Sequence, residues 1–358
     1  MNISNGHDGL VNKSIMKVEE FVSQVDDGLM NNRVLKGVAE PQLSEWLFNY
    51  LKLPGKRIRP AVLWAVYQHL GGEDWETLKN LGIALELTHN WTLIEDDWMD
   101  RDEQRRGKPA LHMQIAETSE GFRKLGMELH YGETVATLAA NIMQSAASQQ
   151  WASAIVDLPN KALAHELVRY FESIVGHTGR GQMLDFLYQD KLLADELVTE
   201  EQVATVMLAK TGGLFKVACW TAAKLAGAND VDQWAELGEE LGYIFQMHND
   251  LKDLDDESGA RQRYSDILEM KPTLLNVRLL QILSDEDKHR WQLAVRERTG
   301  ADVDWLVERA METGIVLALK EELAQRLSKL RERFIALSET IGKSALLVWL
   351  DKLTNTRS

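Results

Sequence analysis

Apolar residues near the end of the chain recur at alternating intervals of four and three, the spacing that places side chains on one face of an α-helix. This stripe consists of Leu323, Leu327, Leu330, Phe334 and Leu337. Elsewhere, long stretches between the few prolines are rich in strong helix formers such as Leu, Ala, Glu and Lys. Runs in which apolar and polar residues alternate, as in a half-buried strand, are almost absent. The pattern predicts an all-α protein whose apolar stripes face a packed core.

Helix-breaking residues interrupt this pattern at intervals along the chain. They are Pro54-Gly55, Gly71-Gly72, Gly107–Pro109, Leu158–Asn160, Gly227–Asn229 and Asp255–Gly259. The breaks divide the chain into roughly ten or more helices with short connections. Because no low-complexity linker or change of composition separates two parts, we predict one helical domain over residues 1–358.

The charge balance restricts the possible partners. The 358 residues carry a net charge of −15, from 55 acidic and 40 basic side chains. Such a surface repels nucleic acid phosphates and anionic membranes, so neither is expected to be the main partner. An anionic small-molecule ligand remains compatible with this charge if a divalent metal ion lies between carboxylates and phosphate.

Cysteine content and hydropathy indicate the compartment. Cys219 is the only cysteine in the sequence, which leaves no intrachain disulfide and no cysteine metal site. No apolar run approaches the roughly 18 residues that span a bilayer, and the first residues lack the apolar stretch of a secretory signal. We therefore expect a cytoplasmic protein.

The first candidate metal site is the acidic cluster Asp96-Asp97-Trp98-Met99-Asp100. Asp96 and Asp100 lie one helical turn apart, so their carboxylates share a face and repel each other unless a cation lies between them. Oxygen ligands without nearby cysteine suit a hard ion such as Mg²⁺. A solvated acidic helix face is the alternative, but the apolar run from Ile83 to Ile94 predicts a helix that is largely buried up to this point.

A second acidic cluster follows about 150 residues later, again at the end of an apolar helix. It begins at Asn249-Asp250 and continues to Asp253, with Asp255, Asp256 and Glu257 behind it. Asn249, Asp253 and Glu257 share a helix face. Alone this cluster is weak evidence for a metal site, but two such clusters together favour one.

Basic residues accompany both clusters. Lys56, Arg57 and Arg59 precede a new helix, Arg105 and Arg106 follow Asp100, Lys210 precedes a Gly-Gly pair, and Lys271 follows the second cluster. Each one alone is more often a surface charge than a ligand. Together they suggest two diphosphate sites, one reached through Mg²⁺ and one formed by cations alone.

The segment DDWMDRDEQRRG, from Asp96 to Gly107, resembles the first aspartate-rich motif of the trans-isoprenyl diphosphate synthases, also called polyprenyl synthetases. The resemblance extends from about Lys56 to about Leu280, in the order and close to the spacing of that family. It implies an isoprenoid synthase-type helical bundle around a central deep cavity, and a homodimer. It also implies an enzyme that joins isopentenyl diphosphate to an allylic diphosphate, with three Mg²⁺ ions in each active site.

The resemblance assigns metal ligands and substrate contacts. Metal binding would fall to Asp96, Asp97, Asp100, Asn249, Asp250 and Asp253. The allylic diphosphate would contact Arg105, Lys210 and Lys271. Isopentenyl diphosphate would contact Lys56, Arg59, His89 and Arg106. The catalytic groups would be Lys210, Thr211 and Gln246, of which Thr211 and Gln246 would face the developing carbocation with their oxygens, and Asp185 would line the cavity.

The implied reaction suits these residue types. Metal ions and cationic side chains stabilise the departing pyrophosphate, which leaves an allylic cation. The double bond of isopentenyl diphosphate then attacks this cation, and a proton is lost, so that no strong side-chain base is needed. Closure of the site keeps water from quenching the cation.

Three positions depart from the family pattern. Asn249 replaces the usual first aspartate of the second motif, which lowers the charge offered to a metal ion. Glu95 stands where histidine is common. A lysine expected upstream of Ser265-Asp266 is absent, and Arg261 or Arg263 is its candidate substitute.

The departures leave alternatives. The second cluster also resembles the metal triad of class I terpene cyclases, which bind one diphosphate, and a relative that transfers the prenyl group to another acceptor is a further possibility. Lys56, Arg59, His89 and Arg106 weigh against a cyclase, since a one-diphosphate enzyme has little need of them. An inactive partner subunit of a synthase is the remaining alternative, although the motif carboxylates are nearly complete.

Trp91 is the candidate determinant of product length. It lies five residues before Asp96, about 7.5 Å further down the helix at ~1.5 Å per residue. In the family that this sequence resembles, an aromatic residue at this position forms a floor beneath the growing prenyl chain. The alternative interpretation is that Trp91 only packs in the core, as a Trp in an apolar helix ordinarily does. The floor predicts a short product of the farnesyl or geranylgeranyl type.

Overall fold

The computed structural model describes residues 5–38, 40–254, 264–297 and 303–337, with side chains from Val18 onward. Within these ranges nearly all regular structure is helical. The helices are α1 (Asn5–Met30), α2 (Arg33–Lys36), α3 (Pro41–Leu51), α4 (Ile58–His69), α5 (Trp75–Met99), α6 (Leu111–Thr118), α7 (Glu120–Arg123), α8 (Glu128–Ile155), α9 (Lys161–Leu193), α10 (Glu200–Met207), α11 (Gly213–Leu225), α12 (Val231–Lys252), α13 (Ser265–Leu268), α14 (Leu274–Ile282), α15 (Asp285–Glu297), α16 (Asp304–Glu312) and α17 (Ile315–Ala336). A π-helical segment, Leu208–Gly212, lies between α10 and α11. Strands β1 (Gln104–Arg105) and β2 (Lys108–Pro109) form one antiparallel hairpin.

The all-α prediction is confirmed. The breaks predicted at Gly and Pro fall between helices wherever the structure describes them, while Asp255–Gly259 lies outside the described residues. The C-terminal stripe lies in α17 up to Phe334, and Leu337 is the C-terminal capping residue of that helix; Leu330 and Phe334 are buried, and Leu323 packs against the core from its edge.

Local capping explains where several helices begin. The Asp74 side chain accepts a hydrogen bond from the Thr77 amide at 3.0 Å and so caps the long helix α5. Thr199 and Gln202 form a reciprocal capping box at the start of α10. Each of these contacts satisfies amide groups that a helix start leaves without an intrahelical acceptor.

The chain divides into two compact units. The described part of unit 1 comprises the residues up to Ser173 together with Val217–Ala235, and unit 2 comprises Ile174–Lys216 and Glu236–Leu337. The prediction of one domain over residues 1–358 stays a prediction. The two units are described separately below.

Unit 1 is built around α5, in which every residue from Leu81 to Thr88 is buried. The alanine-rich face of α8 packs along α5, and α8 also approaches α6 closely. Gly132 permits that approach, because a Cβ atom there would lie 2.2 Å from the carbonyl oxygen of His112. This packing fixes the rigid helix that carries the first acidic cluster.

Unit 2 has its own apolar core, which contains the buried ring of Trp291. The indole nitrogen of Trp291 donates to the Ile267 carbonyl at 2.9 Å. At the edge of this core the Arg326 guanidinium lies 4.3 Å from the centre of the Tyr243 ring and also pairs with Glu240 at 2.9 Å. The core supports α12, which carries the second acidic cluster.

Contrary to the expectation that no apolar run is long enough, one helical stretch in the described residues, Glu200–Leu225, could cross a membrane by length and composition. Of its most apolar window, 72% is buried inside the protein. The stretch therefore has the burial of a core helix.

Candidate active site

The first acidic cluster lies at the carboxyl end of α5. Asp96 and Asp97 are in the last turn, and Asp100 is the C-terminal capping residue. The Asp100 amide still donates to the Asp96 carbonyl at 2.8 Å, so helical geometry extends across the cluster. A helix end of this kind carries partial negative charge, which makes it an unfavourable place for carboxylates unless cations are nearby. The position itself therefore indicates a cation site.

Asp97 is held by protein groups. Its carboxylate is fully buried, with Oδ2 accepting a hydrogen bond from the Tyr50 hydroxyl at 3.1 Å and Oδ1 accepting one from Arg105 Nε at 2.5 Å. Burial raises the pKa of Asp97 to about 6, and the charge of Arg105 opposes this rise. Both carboxylate oxygens thus have partners, and Asp97 anchors the cluster to α3 and to the hairpin.

Arg105 closes the first cluster from the hairpin side. Its Nη2 atom lies 3.5 Å from Asp102 Oδ2 and 3.9 Å from Asp96 Oδ2, and it also pairs with Asp97. Burial lowers the pKa of Arg105, but the charge of Asp97 more than offsets this effect and raises the pKa above its usual value. The structure therefore places Arg105 beside the first cluster, while its contact with the allylic diphosphate stays a prediction.

Arg106 is adjacent to Arg105 but contacts a different part of unit 1. It occupies the turn between β1 and β2, where it and Gly107 both have positive φ, as a tight two-residue hairpin turn requires. Its Nη1 atom donates to the Leu53 carbonyl at 3.2 Å. The hairpin thus directs two consecutive arginines into different surroundings.

A second basic group therefore exists in unit 1. Arg59 and Arg57 are buried, and both lie at the start of α4. Burial lowers the pKa of Arg59 to about 10, and burial followed by the charges of Arg59, Arg106 and Arg105 lowers the pKa of His89 well below its usual value. His89 is accordingly neutral at pH 7, and a neutral imidazole among cations can donate one hydrogen bond to an anion.

Sequence reasoning missed three residues of unit 1. It gave no role to Tyr50, which contacts Asp97, and it gave no role of its own to Arg57. It also missed Glu86, a buried acid that accepts a hydrogen bond from Arg57 Nη1 at 2.8 Å. The available signal was that Glu86 is a lone acid within the apolar run Ile83–Leu87, since buried carboxylates are almost always paired.

In unit 2, the predicted catalytic residues Lys210 and Thr211 lie within the π-helical segment Leu208–Gly212, and Gln246 lies on α12 beside it. Lys210 Nζ lies 2.8 Å from Asp185 Oδ2. The Thr211 hydroxyl donates to Gln246 Oε1 at 2.6 Å, and Gln246 Nε2 in turn donates to Asp250 Oδ1 at 2.7 Å. A π-turn interrupts the regular hydrogen bonding of a helix and is frequent at functional sites. The structure thus joins Thr211, Gln246 and Asp250 in one chain of hydrogen bonds.

The second acidic cluster ends α12, and its members differ in their surroundings. Asn249 is exposed, whereas burial raises the pKa of Asp250 to about 7. Asp253 accepts hydrogen bonds from the Ser265 hydroxyl at 3.0 Å and the Asp266 amide at 3.1 Å. Asp255, Asp256, Glu257, Arg261 and Arg263, which the sequence analysis considered, lie outside the described residues.

Lys271 lies three residues beyond the end of α13, among acidic side chains. Its Nζ atom is 3.5 Å from Glu269 Oε2 and 4.0 Å from Asp266 Oδ1. Because Asp266 also contacts Asp253 through its amide, Lys271 belongs to the surroundings of the second cluster.

The remaining predicted residues are on α5 and before α4. Trp91 and Thr92 lie in α5 on the N-terminal side of the first cluster and are half-buried, and the raised pKa of Glu95 follows from burial. Lys56 precedes Arg57 in the connection between α3 and α4 and is exposed.

The oxygen atoms of the first cluster fit magnesium. Within the described residues, no three carboxylate, imidazole or thiol groups converge closely enough to hold a metal ion alone. Mg²⁺ characteristically takes one or two carboxylates together with substrate phosphates and water. Asp96 and Asp100, one turn apart, offer such a pair when a diphosphate supplies further oxygens.

Comparison with known proteins identifies the family. The family model described as Polyprenyl synthetase matches residues 40–312. A geranylgeranyl diphosphate synthase from Sulfolobus acidocaldarius is 29% identical over 273 residues, which make up 75% of this chain and 75% of that protein.

Solved structures show the same fold. A polyprenyl synthase from Caulobacter crescentus, complexed with calcium and isoprenyl diphosphate, matches with a TM-score of 0.80 at 19% identity, over 97% of this chain and 98% of that one. A geranylgeranyl pyrophosphate synthase from Corynebacterium glutamicum, complexed with isoprenyl diphosphate and magnesium, matches with a TM-score of 0.78 at 22% identity, over 97% and 99%. These likenesses confirm the predicted isoprenoid synthase fold. With its family model matched over most of the sequence, the chain belongs to the polyprenyl synthetases, the trans-isoprenyl diphosphate synthase family.

Proposed function

We propose that this polyprenyl synthetase is a short-chain trans-prenyltransferase that condenses isopentenyl diphosphate with an allylic diphosphate, giving a product of the farnesyl or geranylgeranyl type. The observation that carries the proposal is the divergence of two consecutive arginines. Arg105 lies against the first aspartate cluster, while Arg106 donates to the Leu53 carbonyl and lies beside the buried Arg57 next to Gly55. Burial lowers the pKa of His89, and the charges of Arg59 and Arg106 lower it further. One unit thus contains a basic group beside the aspartate cluster and a second basic group whose buried acid, Glu86, is paired with Arg57, as expected for one metal-bound and one metal-free diphosphate.

Magnesium is the proposed cofactor, with three ions in each active site. Asp96 and Asp100, with Asn249, Asp250 and Asp253, would hold the ions, and Asp97 would support the first pair from its buried position. When bound there, the ions would supply positive charge to the diphosphate of the allylic substrate and to the pyrophosphate that leaves it. The solved relatives complexed with calcium or magnesium support a divalent ion.

The side chains of this protein have separate proposed tasks. Arg105, Lys210 and Lys271 bind the allylic diphosphate, and Lys56, Arg59, His89 and Arg106 bind isopentenyl diphosphate. Lys210 is held by Asp185 at 2.8 Å, which fixes the position of its charge.

The hydrogen-bond chain in unit 2 has a consequence for the cation. The Thr211 hydroxyl donates its hydrogen bond to Gln246, so the lone pairs of Thr211 Oγ1 stay available to a developing carbocation. Oxygen atoms fixed in this way stabilise positive charge without reorganising during the reaction.

We further propose that Trp91 limits the product to fifteen or twenty carbons, that the enzyme is a cytoplasmic homodimer and that free isoprenoid diphosphates are its small-molecule partners.

Two alternative functions lose support. The basic group that contains Arg59 and Arg106 weighs against a one-diphosphate cyclase, and the complete first cluster with its Arg105 partner weighs against an inactive partner subunit.

The direct test is to incubate the purified chain with Mg²⁺, isopentenyl diphosphate and each allylic primer in turn, and to analyse the products. Elongated diphosphates made by this chain alone are the expected result. A hydrocarbon formed from one allylic substrate without isopentenyl diphosphate would instead identify a cyclase. No turnover with any primer until another subunit is added would identify a partner subunit.

A further inference from the structure

Arg57 is fixed more firmly than its neighbours in the basic group. It is 5% exposed and adopts left-handed backbone angles, φ 45° and ψ 42°, at the N-terminal cap of α4. Three of its nitrogens have separate acceptors: Nε bonds to Asp26 Oδ1 at 2.6 Å, Nη1 to Glu86 Oε1 at 2.8 Å and Nη2 to the Leu51 carbonyl at 3.0 Å. A non-glycine residue keeps this backbone only when its surroundings impose it.

Glu86 is the acid at the centre of this arrangement. It is 1% exposed, and its Oε1 atom accepts from Arg57 and, more weakly, from Asn90 Nδ2 at 3.3 Å. Its Oε2 atom is buried and has no hydrogen-bond partner among the described residues. A buried carboxylate oxygen without a partner is costly, so Glu86 retains the capacity to accept from a second cation.

Two further arginines lie within reach of the charge of Glu86. The Arg57 and Arg106 guanidinium groups both lie next to Gly55. A Cβ atom built on Gly55 would be 2.7 Å from Arg57 Nη1 and 3.0 Å from Arg106 Nη1. Burial lowers the pKa of Arg59 and of Arg106, and in both cases the negative charge of Glu86 is the foremost opposing effect. Glu86 is thus an anion inside the group of cations that the proposed function assigns to isopentenyl diphosphate.

We propose that Arg57 is a positioning residue that holds the Glu86 carboxylate and prevents it from competing with isopentenyl diphosphate for Arg59 and Arg106. The inference rests on the proposed function, which makes Arg59 and Arg106 diphosphate contacts. Arg57 suits this role because its planar guanidinium group donates to Glu86 while Asp26 and the Leu51 carbonyl fix the orientation of that group. Its place in the sequence, between Lys56 and Arg59, also ties the backbone of both to α1 and α5.

The competition makes a specific double-mutant prediction. In Arg57→Met, Glu86 loses its main partner and pairs with Arg59 or Arg106, so the diphosphate must displace a carboxylate in order to bind. In Arg57→Met with Glu86→Gln, the competing charge is gone, and binding recovers although two native contacts are missing. A purely structural role predicts that the KM values of both substrates rise in Arg57→Met and recover together in the double variant, because an unpaired buried carboxylate destabilises the whole fold. Competition instead changes the binding of isopentenyl diphosphate alone.

The experiment measures binding of isopentenyl diphosphate to the full chain by calorimetry in EDTA, together with KM for each substrate. Arg57→Met should weaken binding by about tenfold or more, because the diphosphate then has to break a charge-assisted contact between Glu86 and Arg59 or Arg106 before it can bind. The double variant should bind more tightly than Arg57→Met, and KM for the allylic substrate should stay near wild type in both. Asp26→Asn is the matched control, because Asp26 is 46% exposed and its loss leaves the Arg57–Glu86 pair intact.

Each outcome bears on the inference separately from the function. A double variant that binds no more tightly than Arg57→Met overturns the inference, as does an Arg57→Met variant with wild-type affinity. Circular dichroism and the melting temperature identify a variant that fails to fold, in which case the comparison is repeated with Arg57→Lys, which keeps the charge but grips Glu86 through fewer donors. Failure of the wild-type chain to elongate any primer would instead reject the proposed function.

Discussion

Asp96, Asp97 and Asp100 are close in sequence, yet the helix gives them different roles. Asp96 and Asp100 lie one turn apart, whereas Asp97 is rotated by about 100° from Asp96. That rotation directs Asp97 to Tyr50 and Arg105, where burial and two hydrogen-bond partners make it an internal anchor. Helical periodicity alone therefore separates the pair that offers oxygens to a cation from the residue that supports it.

Tyr50→Phe tests this support. The substitution removes the hydroxyl that donates to Asp97 and leaves a buried carboxylate oxygen without a partner, at a cost of about 1–3 kcal/mol in the free energy of unfolding. Because Arg105 shares Asp97, KM for the allylic substrate should rise while KM for isopentenyl diphosphate changes little. Urea unfolding and steady-state kinetics measure the two effects.

Tyr67→Phe is the matched control for Tyr50→Phe. The Tyr67 hydroxyl is also largely buried and accepts a hydrogen bond from the Asp74 amide at 3.0 Å, away from the aspartate cluster. It should lose stability but keep both KM values. Equal effects of the two substitutions on the allylic KM would show that Tyr50 acts only on global stability.

Trp91→Ala tests the proposed floor of the substrate pocket. Removing the indole should allow additional isoprene units to be added, so that the mean product length increases. Chromatography of the dephosphorylated products measures the change. Trp91→Phe keeps an aromatic side chain and should keep the wild-type product; an unaltered product from Trp91→Ala would exclude Trp91 from length control.

The residues that sequence reasoning missed have a common physical cause. Tyr50, Arg57 and Glu86 are defined by partners that are distant in the chain: Tyr50 is 47 residues from Asp97, and Arg57 is 29 residues from Glu86. Spacing within one helix carries no information about such pairs. By contrast, Asp96, Asp100, Arg105 and Arg106 lie within one short segment, so local pattern was sufficient to select them.

At the scale of elements, sequence pattern predicted helices and their breaks but missed the π-helical segment. Leu208–Gly212 has no sequence signature beyond its Gly-Gly pair. A π-turn is retained where tertiary packing favours it over regular helix, and here the packing partner is α12. Gly242 of α12 approaches so closely that a Cβ atom there would lie 2.5 Å from the Cα atom of Gly212.

Gly242→Ala should therefore disturb the catalytic segment. The added methyl group meets backbone atoms, which cannot move aside as a flexible side chain can, and overpacking of this kind costs about 1–3 kcal/mol. Displacement of Lys210 and Thr211 should lower kcat by roughly tenfold or more, since each 1.4 kcal/mol of lost transition-state stabilisation is a factor of ten. Melting temperature and kcat are the measurements.

Gly121→Ala provides the comparison for Gly242→Ala. Gly121 lies in α7, and a Cβ atom there has no neighbour within 4 Å among the contacts described. Its substitution should leave both kcat and the melting temperature near wild type. If Gly242→Ala behaves in the same way, the close contact with Gly212 is not needed for catalysis.

At the scale of the whole molecule, an acidic protein has to bind two anionic substrates. The net charge of −15 opposes their approach, so binding depends on local positive charge. Unit 1 meets this need in two ways, with Arg105 placed among carboxylates that suit Mg²⁺ and with Arg59, Arg106 and His89 forming a group of their own. The family and the helical architecture followed from the motifs, whereas the division into two compact units had no signal in composition.

Thermal unfolding of the intact enzyme can separate these two modes of binding. A ligand at about one hundred times its Kd stabilises the native state by roughly 2.7 kcal/mol, which raises the melting temperature measurably. Isopentenyl diphosphate should therefore raise the melting temperature even in EDTA, because its proposed contacts are side chains alone. An allylic diphosphate should give a clearly larger rise with Mg²⁺ than with EDTA, because Asp96 and Asp100 repel its phosphates unless metal ions intervene.

Asp96→Asn and Arg106→Gln should each reduce the melting-temperature shift of a different substrate. Asp96→Asn removes half of the carboxylate pair and should abolish the Mg²⁺-dependent part of the allylic shift, while the shift with isopentenyl diphosphate persists. Arg106→Gln should do the reverse, because it removes a cation from the group that needs no metal. If Mg²⁺ makes no difference to the allylic shift, or if both substitutions weaken both shifts equally, the enzyme does not hold its two diphosphates by separate chemistry, and the assignment of Arg105 and Arg106 to different substrates fails with it.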